Sequence, residues 1–470
     1  SKNRGDGIRL VDDCQHNRIE AESSIEDNGA HGLVISGVRT SFNLVKESNF
    51  NGFTPNKRHA IRIDGAANNN RIESSDVQRH EAGGILITGA AESNQIVECT
   101  VRGGLLPDDV AKSTIGITIE GGATRNQILK SSITNNGTYG LLIEGPTTTR
   151  NYVYDNNFLS NVMAAIRIEN AKDNRIGSAT RGGNDIQRGP GNGIHLTGSD
   201  ASENRIRNNI IGATFSTFFL NGGHGVIVDN GAHNNRIGGA RPRFPDPATP
   251  QTLLPPIEAE RVNGNLITGN GGNGIHIDNA HNNFILGNLI GFANPGRPVM
   301  GNEGHGIAIV NGAKDNCIGN CVSKTKLNPG YTNQIVNNAG SGIWISGSGT
   351  TGNTIRRNEI DANTGGHITL DQGANGGIES PGVFINVVAF RIEGSTPNRG
   401  YIELFSDAVG FNGIYHLTAW VGGGDFTIDQ ANPADSFNAL IIESARPIRF
   451  GDQYISYSED RSGNTSEYTH

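Results

Sequence analysis

The sequence predicts an all-β protein whose main part is a parallel β-solenoid with three sheets. In thirteen short segments, every second residue is apolar. In the first twelve, an Asn-x-apolar segment begins eight to ten residues after the first apolar residue. The chain is also rich in Asn and in Gly, with 66 glycines in 470 residues. Alternation with a period of two gives each strand one buried and one exposed face. Since no single unit could bury its apolar face alone, the units must stack.

The first strand of each unit begins at an apolar residue, and successive units are mostly 24 to 36 residues apart, with one interval of 49. The starting residues are Ile8, Leu33, Ile61, Ile85, Ile117, Leu141, Ile166, Ile194, Val226, Ile275, Ile307, Ile343 and Ile368. Each unit continues through a Gly/Asn turn, a second strand, a bend, a third strand and a Gly-rich return. At about 4.8 Å per strand, the stack would extend for roughly 60 Å.

The Asn-x-apolar segments mark the start of each second strand. Their asparagines are Asn17, Asn43, Asn70, Asn94, Asn126, Asn151, Asn174, Asn204, Asn235, Asn283, Asn316 and Asn353. We expect these residues at a turn that requires left-handed backbone geometry, with side-chain amides bonded up and down the stack.

The pattern changes near Val387, which predicts a parallel β-helix over residues 1–385 and a small all-β, sandwich-like domain over 386–470. Such a domain would cap the last unit, whose exposed strand edges would otherwise pair with another chain. Ser1 to Asp6 is too short for a cap at the other end. We therefore expect either upstream sequence or a covering subunit there, which leaves a homo-oligomer open.

Composition excludes several classes of function. The net charge of −8 argues against nucleic acid as a general partner. The sequence contains no run of 18 apolar residues, so we expect no membrane span. The four cysteines form no disulfide framework, and the close pair Cys317 and Cys321 lacks the second half of a metal-site spacing. We expect no cofactor and no metal site, although a Ca²⁺ ion stays open.

Function must lie on outward-facing side chains, since the interior holds only packing residues. The second and fourth positions of the first strands face outward, and units five to ten gather acids, histidines and one arginine there. These candidate catalytic residues are Glu120, Glu144, Glu169, Arg167, His195, Asp229, His276 and Asp278. Carboxylates about 5 or 9.5 Å apart suit glycosidases, and stacked carboxylates raise one another's pKa. A lyase would instead use His195 or His276 as base and Arg167 as the cation.

A structural role competes with this interpretation. The fourth position is followed by Gly or Asn in most units, and an acid before such a turn commonly accepts a backbone N–H. The turn role is the stronger interpretation for each acid taken singly, and a functional role for the gathering as a whole stays the alternative hypothesis.

Other outward residues are candidates for substrate binding. Trp344 and Phe218 could stack on sugar rings, and the alternative for each is ordinary surface or loop packing. Arg175, Arg205 and Arg236 follow ladder asparagines on a second face. Like charges so close are tolerable only when they pair with acids or with an anionic ligand such as a uronate or sulfate polymer.

The runs NRIGGA (235–240), VNGNLITGNGGNGI (262–275) and NLIGFANPGRPVMGNEGHGI (288–307) resemble the right-handed parallel β-helix repeats of bacterial surface and secreted proteins. The resemblance covers residues 6 to about 380 and also implies a closing C-terminal domain, where DRSGNTSEY is similar to a usual ending.

That family includes lyases, hydrolases, epimerases and adhesins, so the resemblance implies an extracellular or cell-surface protein that processes or binds polysaccharide. A polysaccharide lyase or glycoside hydrolase acting on an acidic chain is the enzymatic interpretation. A non-catalytic adhesive protein and a phage or filament component are the alternatives.

Overall fold

The computed structural model describes residues 3–20, 24–50, 56–78, 81–103, 115–178, 180–212, 220–239, 264–292, 301–319, 321 and 331–377, and the backbone of seven strands between residues 382 and 460. The chain forms two compact units, one of residues 1–235 and 269–271 and the other of residues 236–268 and 272–470. None of the described residues forms a helix that could cross a membrane.

The first unit contains three parallel sheets. Sheet A consists of β1 (Ile8–Val11), β3 (Leu33–Ser36), β6 (His59–Asp64), β9 (Gly83–Ile87), β12 (Ile115–Ile119), β15 (Tyr139–Glu144), β18 (Ala164–Glu169), β21 (Asn192–Thr197) and β24 (Val226–Asp229). Sheet B consists of β2 (Arg18–Ile19), β4 (Leu44–Lys46), β7 (Arg71–Glu73), β10 (Gln95–Val97), β13 (Gln127–Leu129), β16 (Tyr152–Tyr154), β19 (Arg175–Ile176) and β22 (Arg205–Ile206). Sheet C consists of β5 (Asn49–Phe50), β8 (Asp76–Gln78), β11 (Thr100–Arg102), β14 (Ser132–Thr134), β17 (Asn157–Leu159), β20 (Asp185–Gln187) and β23 (Ile210–Gly212).

The second unit repeats this arrangement. Its A strands are β27 (Ile275–Asp278), β30 (Ile307–Val310), β33 (Ile343–Ser346) and β36 (Ile368–Asp371). Its B strands are β25 (Arg236–Gly238), β28 (Phe284–Leu286), β31 (Cys317–Gly319) and β34 (Thr354–Arg356), and its C strands are β26 (Leu266–Thr268), β29 (Leu289–Ile290), β32 (Gln334–Val336) and β35 (Glu359–Asp361). All thirteen predicted first strands are therefore present at the predicted residues.

The chain after β36 changes character. A short 3-10 turn, Ala374–Gly377, precedes a three-stranded antiparallel sheet of β37 (Gly382–Asn386), β38 (Arg391–Thr396) and β41 (Gly424–Asp429). The four-stranded antiparallel sheet contains β39 (Gly400–Asp407), β40 (Gly413–Val421), β42 (Ala439–Ser444) and β43 (Gln453–Asp460). The predicted domain boundary after residue 385 stays a prediction.

Branched apolar side chains fill the interior. In one turn of the first unit, Ile61 and Ile63 of β6, Ile72 of β7 and Val77 of β8 are all fully buried. These β-branched residues suit extended backbone, and each one buried contributes about 1.5 to 3 kcal/mol. The residues between them face outward, which leaves the outer face of each sheet available for function.

The asparagine ladder lies inside the solenoid, not on its surface. Asn43 Nδ2 donates to Asn70 Oδ1 at 2.9 Å, and Asn70 Nδ2 donates to Asn94 Oδ1 at 3.0 Å. The predicted bonding along the stack is confirmed, but the prediction of left-handed geometry at the asparagine itself is wrong. The left-handed residue is the one before, such as Asn69 with φ 54° or Ser93 with φ 58°. That preceding residue makes the turn, while the asparagine faces inward and satisfies buried backbone groups.

Candidate functional site

Three glutamates stack on the outer face of sheet A in the first unit. Glu144 of β15 and Glu169 of β18 are opposite each other in the parallel register. Glu120 directly follows β12, whose Ile119 is opposite Ile143 of β15. The register therefore places the three glutamates at equivalent positions of consecutive turns, with Cα atoms one strand spacing of about 4.8 Å apart. We call Glu120, Glu144 and Glu169 the glutamate stack.

The middle carboxyl of the glutamate stack is the electrostatically unusual one. Partial burial, a hydrogen bond with Glu120, and the charges of Glu120 and Glu169 raise the pKa of Glu144 to about 7, against the opposing effect of Arg167. Within the described part of the chain, neither Glu120 nor Glu144 has a salt-bridge partner. Glu144 is consequently shared between its protonated and ionised forms near neutral pH.

Arg167 on β18 connects the glutamate stack to a histidine. Its Nε donates to Glu169 Oε2 at 2.8 Å, and its Nη1 donates to His195 Nδ1 at 2.9 Å. The guanidinium also lies over the Tyr139 ring, 5.4 Å from the ring centroid. These contacts fix Arg167 between Glu169 and His195, with its positive charge against the Glu169 carboxylate.

His195 forms a hydrogen bond through each ring nitrogen. Because a guanidinium only donates, His195 Nδ1 accepts from Arg167 and the ring proton lies on Nε2. Nε2 then donates to Asp229 Oδ2 at 2.9 Å. The side chains of His195 and Asp229 are only 14% and 16% exposed. A general base needs an open nitrogen, so this geometry suits a positioning role for His195.

Asp229 completes the row. Its burial acts to raise the pKa of its carboxyl, but hydrogen bonds from His195 and Thr197 and the charge of Arg167 outweigh that effect and lower the pKa of Asp229. Asn230 Nδ2 donates to Asp229 Oδ1 at 3.1 Å as well. Asp229 is therefore a firmly ionised acceptor that holds the His195 tautomer.

The remaining predicted catalytic residues lie in the second unit. His276 and Asp278 are both on β27, with 3.9 Å between His276 Nε2 and Asp278 Oδ2. His276 Nδ1 contacts the Asn273 amide at 3.1 Å, and Asp278 Oδ2 accepts from Asn311 at 3.0 Å. The pair thus has neighbours that tie each side chain to the surface of its own unit.

The predicted stacking residues have different outcomes. Trp344 on β33 stacks on His305, with ring centroids 4.7 Å apart and planes 12° from parallel. Burial, with the nearby charge of His276, lowers the pKa of His305. Phe218 lies outside the residues that the structure describes.

The predicted basic face is on sheet B. Arg175 of β19 and Arg205 of β22 are opposite each other in the register, and Arg175 lies over the Tyr152 ring at 5.2 Å. Arg236 belongs to the second unit, where its guanidinium lies 5.2 Å from the centroid of the Tyr331 ring. Sheet B of the first unit therefore carries two neighbouring positive charges, at Arg175 and Arg205.

Two features were missed by reasoning from the sequence. One is Tyr139, two residues before the first core residue of β15, whose ring contacts Arg167 and which no signal in the spacing marks out. A disulfide joins Cys317 and Cys321, whose Cα atoms are 5.9 Å apart. No group of three metal-ligating side chains occurs among the described residues.

The stack of three parallel sheets, each made of one strand from every turn, defines the protein as a parallel β-helix. The family model for the right handed beta helix region matches residues 1–158 and 83–241, just over half of the chain. The chain belongs to this family, and its helix is right-handed.

Several solved structures have a similar fold. The periplasmic alginate epimerase AlgG is 14% identical, with 70% of this chain and 76% of that chain covered and a TM-score of 0.43. The A-module of the Azotobacter vinelandii mannuronan C-5 epimerase AlgE4 is 14% identical over 71% and 85% of the two chains, with a TM-score of 0.39. The Dettilon tailspike protein is 14% identical over 92% and 85%, with a TM-score of 0.46. This likeness is one of fold alone, and no curated protein matches the chain.

Proposed function

We propose that the first unit binds an acidic polysaccharide along the outer face of sheet A and hydrolyses it, with Glu144 as the proton donor. The observation that carries this proposal is the pKa of about 7 that the glutamate stack gives to Glu144. A carboxyl with such a pKa can donate a proton at neutral pH, which an ordinary surface glutamate cannot.

The arrangement of the carboxylates supports hydrolysis with retention. The Cα atoms of Glu169 and Glu144 are one strand spacing apart, about 5 Å, which allows the two carboxyl groups the separation of about 5 to 5.5 Å that retaining glycosidases use. Glu144 would give its proton to the glycosidic oxygen as the bond to the anomeric carbon breaks, and the ionised Glu169 would form a bond to that carbon. Glu144 would then take a proton from water, and this water would release the sugar and regenerate Glu169.

The side chains beyond the glutamate stack have a supporting role in this proposal. The row from Asp229 through His195 to Arg167 fixes the guanidinium that holds Glu169 at 2.8 Å. Glu120 keeps the proton on Glu144 through their hydrogen bond. His195 is therefore a positioning residue, and the acids of this row bond to other side chains, which favours a site over the turn role.

Elimination is the second candidate, because the guanidinium of Arg167 lies 5.4 Å from the centroid of the Tyr139 ring. A lyase needs a cation beside the uronate carboxylate and a group that takes the neighbouring proton, and Arg167 and Tyr139 are of the right types. The site is the same in both candidates, but the products differ: hydrolysis creates reducing ends without unsaturation, and elimination creates unsaturated ends.

We further propose an extracellular or cell-surface location. The disulfide between Cys317 and Cys321 supports this location, since disulfides persist in oxidising compartments and are rare in the cytosol.

The experiment is a screen of uronate, sulfated and neutral polysaccharides that follows reducing ends and ultraviolet absorbance of unsaturated ends together. We expect reducing ends without unsaturation from one acidic polymer, and a loss of about 10²- to 10⁴-fold in kcat for Glu144→Gln and Glu169→Gln. Glu73→Gln is the matched control, because Glu73 is an outward carboxylate on sheet B that pairs with Arg71.

Each other result would decide against part of the proposal. Unsaturated ends would replace hydrolysis by elimination. Tight binding without cleavage of any polymer would assign the protein to the non-catalytic, adhesive class. Wild-type rates in both glutamate variants would remove the glutamate stack from the reaction.

A further inference from the structure

Four outward arginines on the strands of the first unit follow one pairing rule. Each pairs with an acid two residues further along the same strand or just beyond it. The pairs are Arg18 with Glu20 and Arg71 with Glu73 on sheet B, and Arg62 with Asp64 and Arg167 with Glu169 on sheet A. Residues two apart on a strand point to the same side, which makes this pairing geometrically natural.

Arg175 and Arg205 break the rule. The residue two positions after Arg175 is Gly177, and the residue two positions after Arg205 is Arg207. Among the residues that the structure describes, neither Arg175 nor Arg205 has a salt-bridge partner. Arg175 and Arg205 are opposite each other on neighbouring strands, so their Cα atoms are about 4.8 Å apart. Two positively charged side chains therefore extend from adjacent positions of one sheet.

The acids closest in sequence do not compensate for these charges. Asp173 precedes Arg175 by two residues, but its carboxylate accepts from Arg150 Nε at 3.3 Å. Glu203 precedes Arg205 by two residues and forms no salt bridge with a described residue. Like charges held side by side are unfavourable unless an anion lies between or over them.

Two tyrosines support the guanidinium groups of the same surface, with Tyr152 partly exposed and Tyr154 only 7% exposed beneath Arg181. Arg175 lies over the Tyr152 ring at 5.2 Å, and Arg181 lies over the Tyr154 ring at 5.6 Å. Arg181 Nη1 also donates to the Tyr154 hydroxyl at 3.1 Å. The rings hold these guanidinium groups in place, which lowers the entropy lost when an anion binds.

We propose that this sheet B face, defined by Tyr152, Tyr154, Arg175, Arg181 and Arg205, is a second polysaccharide-binding surface that recognises the carboxylates of a uronate chain. Arginine presents a planar set of donors that matches a carboxylate. Cations repeated at the strand spacing favour a polymer over a single small anion, because linked carboxylates bind with avidity. The net charge of −8 disfavours a polyanion over the surface as a whole, and the unpaired arginines offset that repulsion on this face.

The choice of a uronate chain as ligand rests on the proposed function, but the two sites share no residue. Binding is therefore measured in a Glu144→Gln background, where turnover does not consume the polymer. Failure of cleavage and failure of this second surface then appear in separate measurements.

The test compares two double variants by biolayer interferometry with immobilised polygalacturonate. Arg175→Gln with Arg205→Gln removes the unpaired cations, and Arg18→Gln with Arg71→Gln removes the same charge from paired positions on the same sheet. We expect the double variant Arg175→Gln with Arg205→Gln to bind about tenfold more weakly or worse, because each substitution removes charge-assisted hydrogen bonds to the polymer. The second pair should weaken binding less than about twofold, since exposed paired charges contribute little.

The remaining arms identify the ligand. Dextran sulfate tests for sulfate recognition and uncharged dextran tests for sugar stacking alone, both at low salt and at 0.5 M salt, where exposed charge contacts are screened. Equal losses in both double variants would show diffuse charge attraction and overturn the proposal, as would wild-type binding in the first pair. Binding of dextran sulfate without polygalacturonate would overturn the assignment to carboxylates.

Discussion

Replacing Glu144 by Gln removes the ionisable group but keeps the shape of the side chain, so it isolates the effect of the raised pKa of Glu144 on stability. The folded protein holds the Glu144 proton more tightly than the unfolded chain does, because the pKa rises from an ordinary 4.5 to about 7. The associated stability is present in full below pH 4.5 and is lost as the pH rises through 7. Gln cannot ionise, so the variant should escape this loss.

The magnitude follows from the pKa. A change from 4.5 to about 7 corresponds to about 3 kcal/mol at full effect. Because part of the Glu144 side chain is open to water, we expect about 1 to 2 kcal/mol of this to be measurable. At pH 8, Glu144→Gln should therefore be more stable than the wild type by that amount, and at pH 4 the two proteins should be nearly equal.

Urea unfolding at pH 4, 6 and 8, followed by circular dichroism, measures this difference. Glu73→Gln is the control of opposite sign, since the hydrogen bond from Arg71 lowers the pKa of Glu73 and its stabilisation is lost as the pH falls. Glu73→Gln should have a lower free energy of unfolding than the wild type at pH 8, and the two values should become equal at low pH. A stability difference between Glu144→Gln and the wild type that stays constant from pH 4 to 8 would refute the electrostatic reasoning.

Three further predictions concern residues around this site and the interior. Asp229→Asn should lower kcat about 10- to 100-fold with little change in KM, because the acceptor that orients His195 loses its negative charge, and Asp229→Glu should restore part of the rate. Asn151→Ala should cost about 1 to 3 kcal/mol in urea unfolding, because it leaves buried amide groups of the ladder without partners. Burial lowers the pKa of His59 to about 4, so stability should fall as the pH falls from 6.5 through 4, and His59→Gln should reduce that loss if unfolding is followed across this range.

The strands and the core could be predicted because they follow from a repeated spacing. Ile61 and Ile63 are buried because alternation leaves them no other side, and the same logic places Glu144 outside. The ladder asparagines were found by their spacing, but spacing does not reveal which residue of a turn has positive φ. Asn69 and its equivalents have it, because the inward asparagine needs extended geometry to reach its neighbour.

The connections within the candidate site could not be predicted, because they depend on side-chain rotamers. Period and register place Arg167 and His195 on adjacent strands, but only the structure shows that Arg167 bonds to both Glu169 and His195. The Cys317 and Cys321 disulfide was missed for a related reason: the spacing of two cysteines four residues apart does not show that their Cα atoms approach to 5.9 Å.

Departures from the repeat carry the functional information in this molecule. A repeated fold favours similar solutions in different turns, so four outward arginines pair with an acid two residues further along the chain. The glutamate stack departs from this by placing carboxylates on three consecutive strands, which costs stability through repulsion at neutral pH. Arg175 and Arg205 depart from it with the opposite sign of charge. Since a purely structural surface gains nothing from either arrangement, these two faces of the first unit are where binding and chemistry are expected.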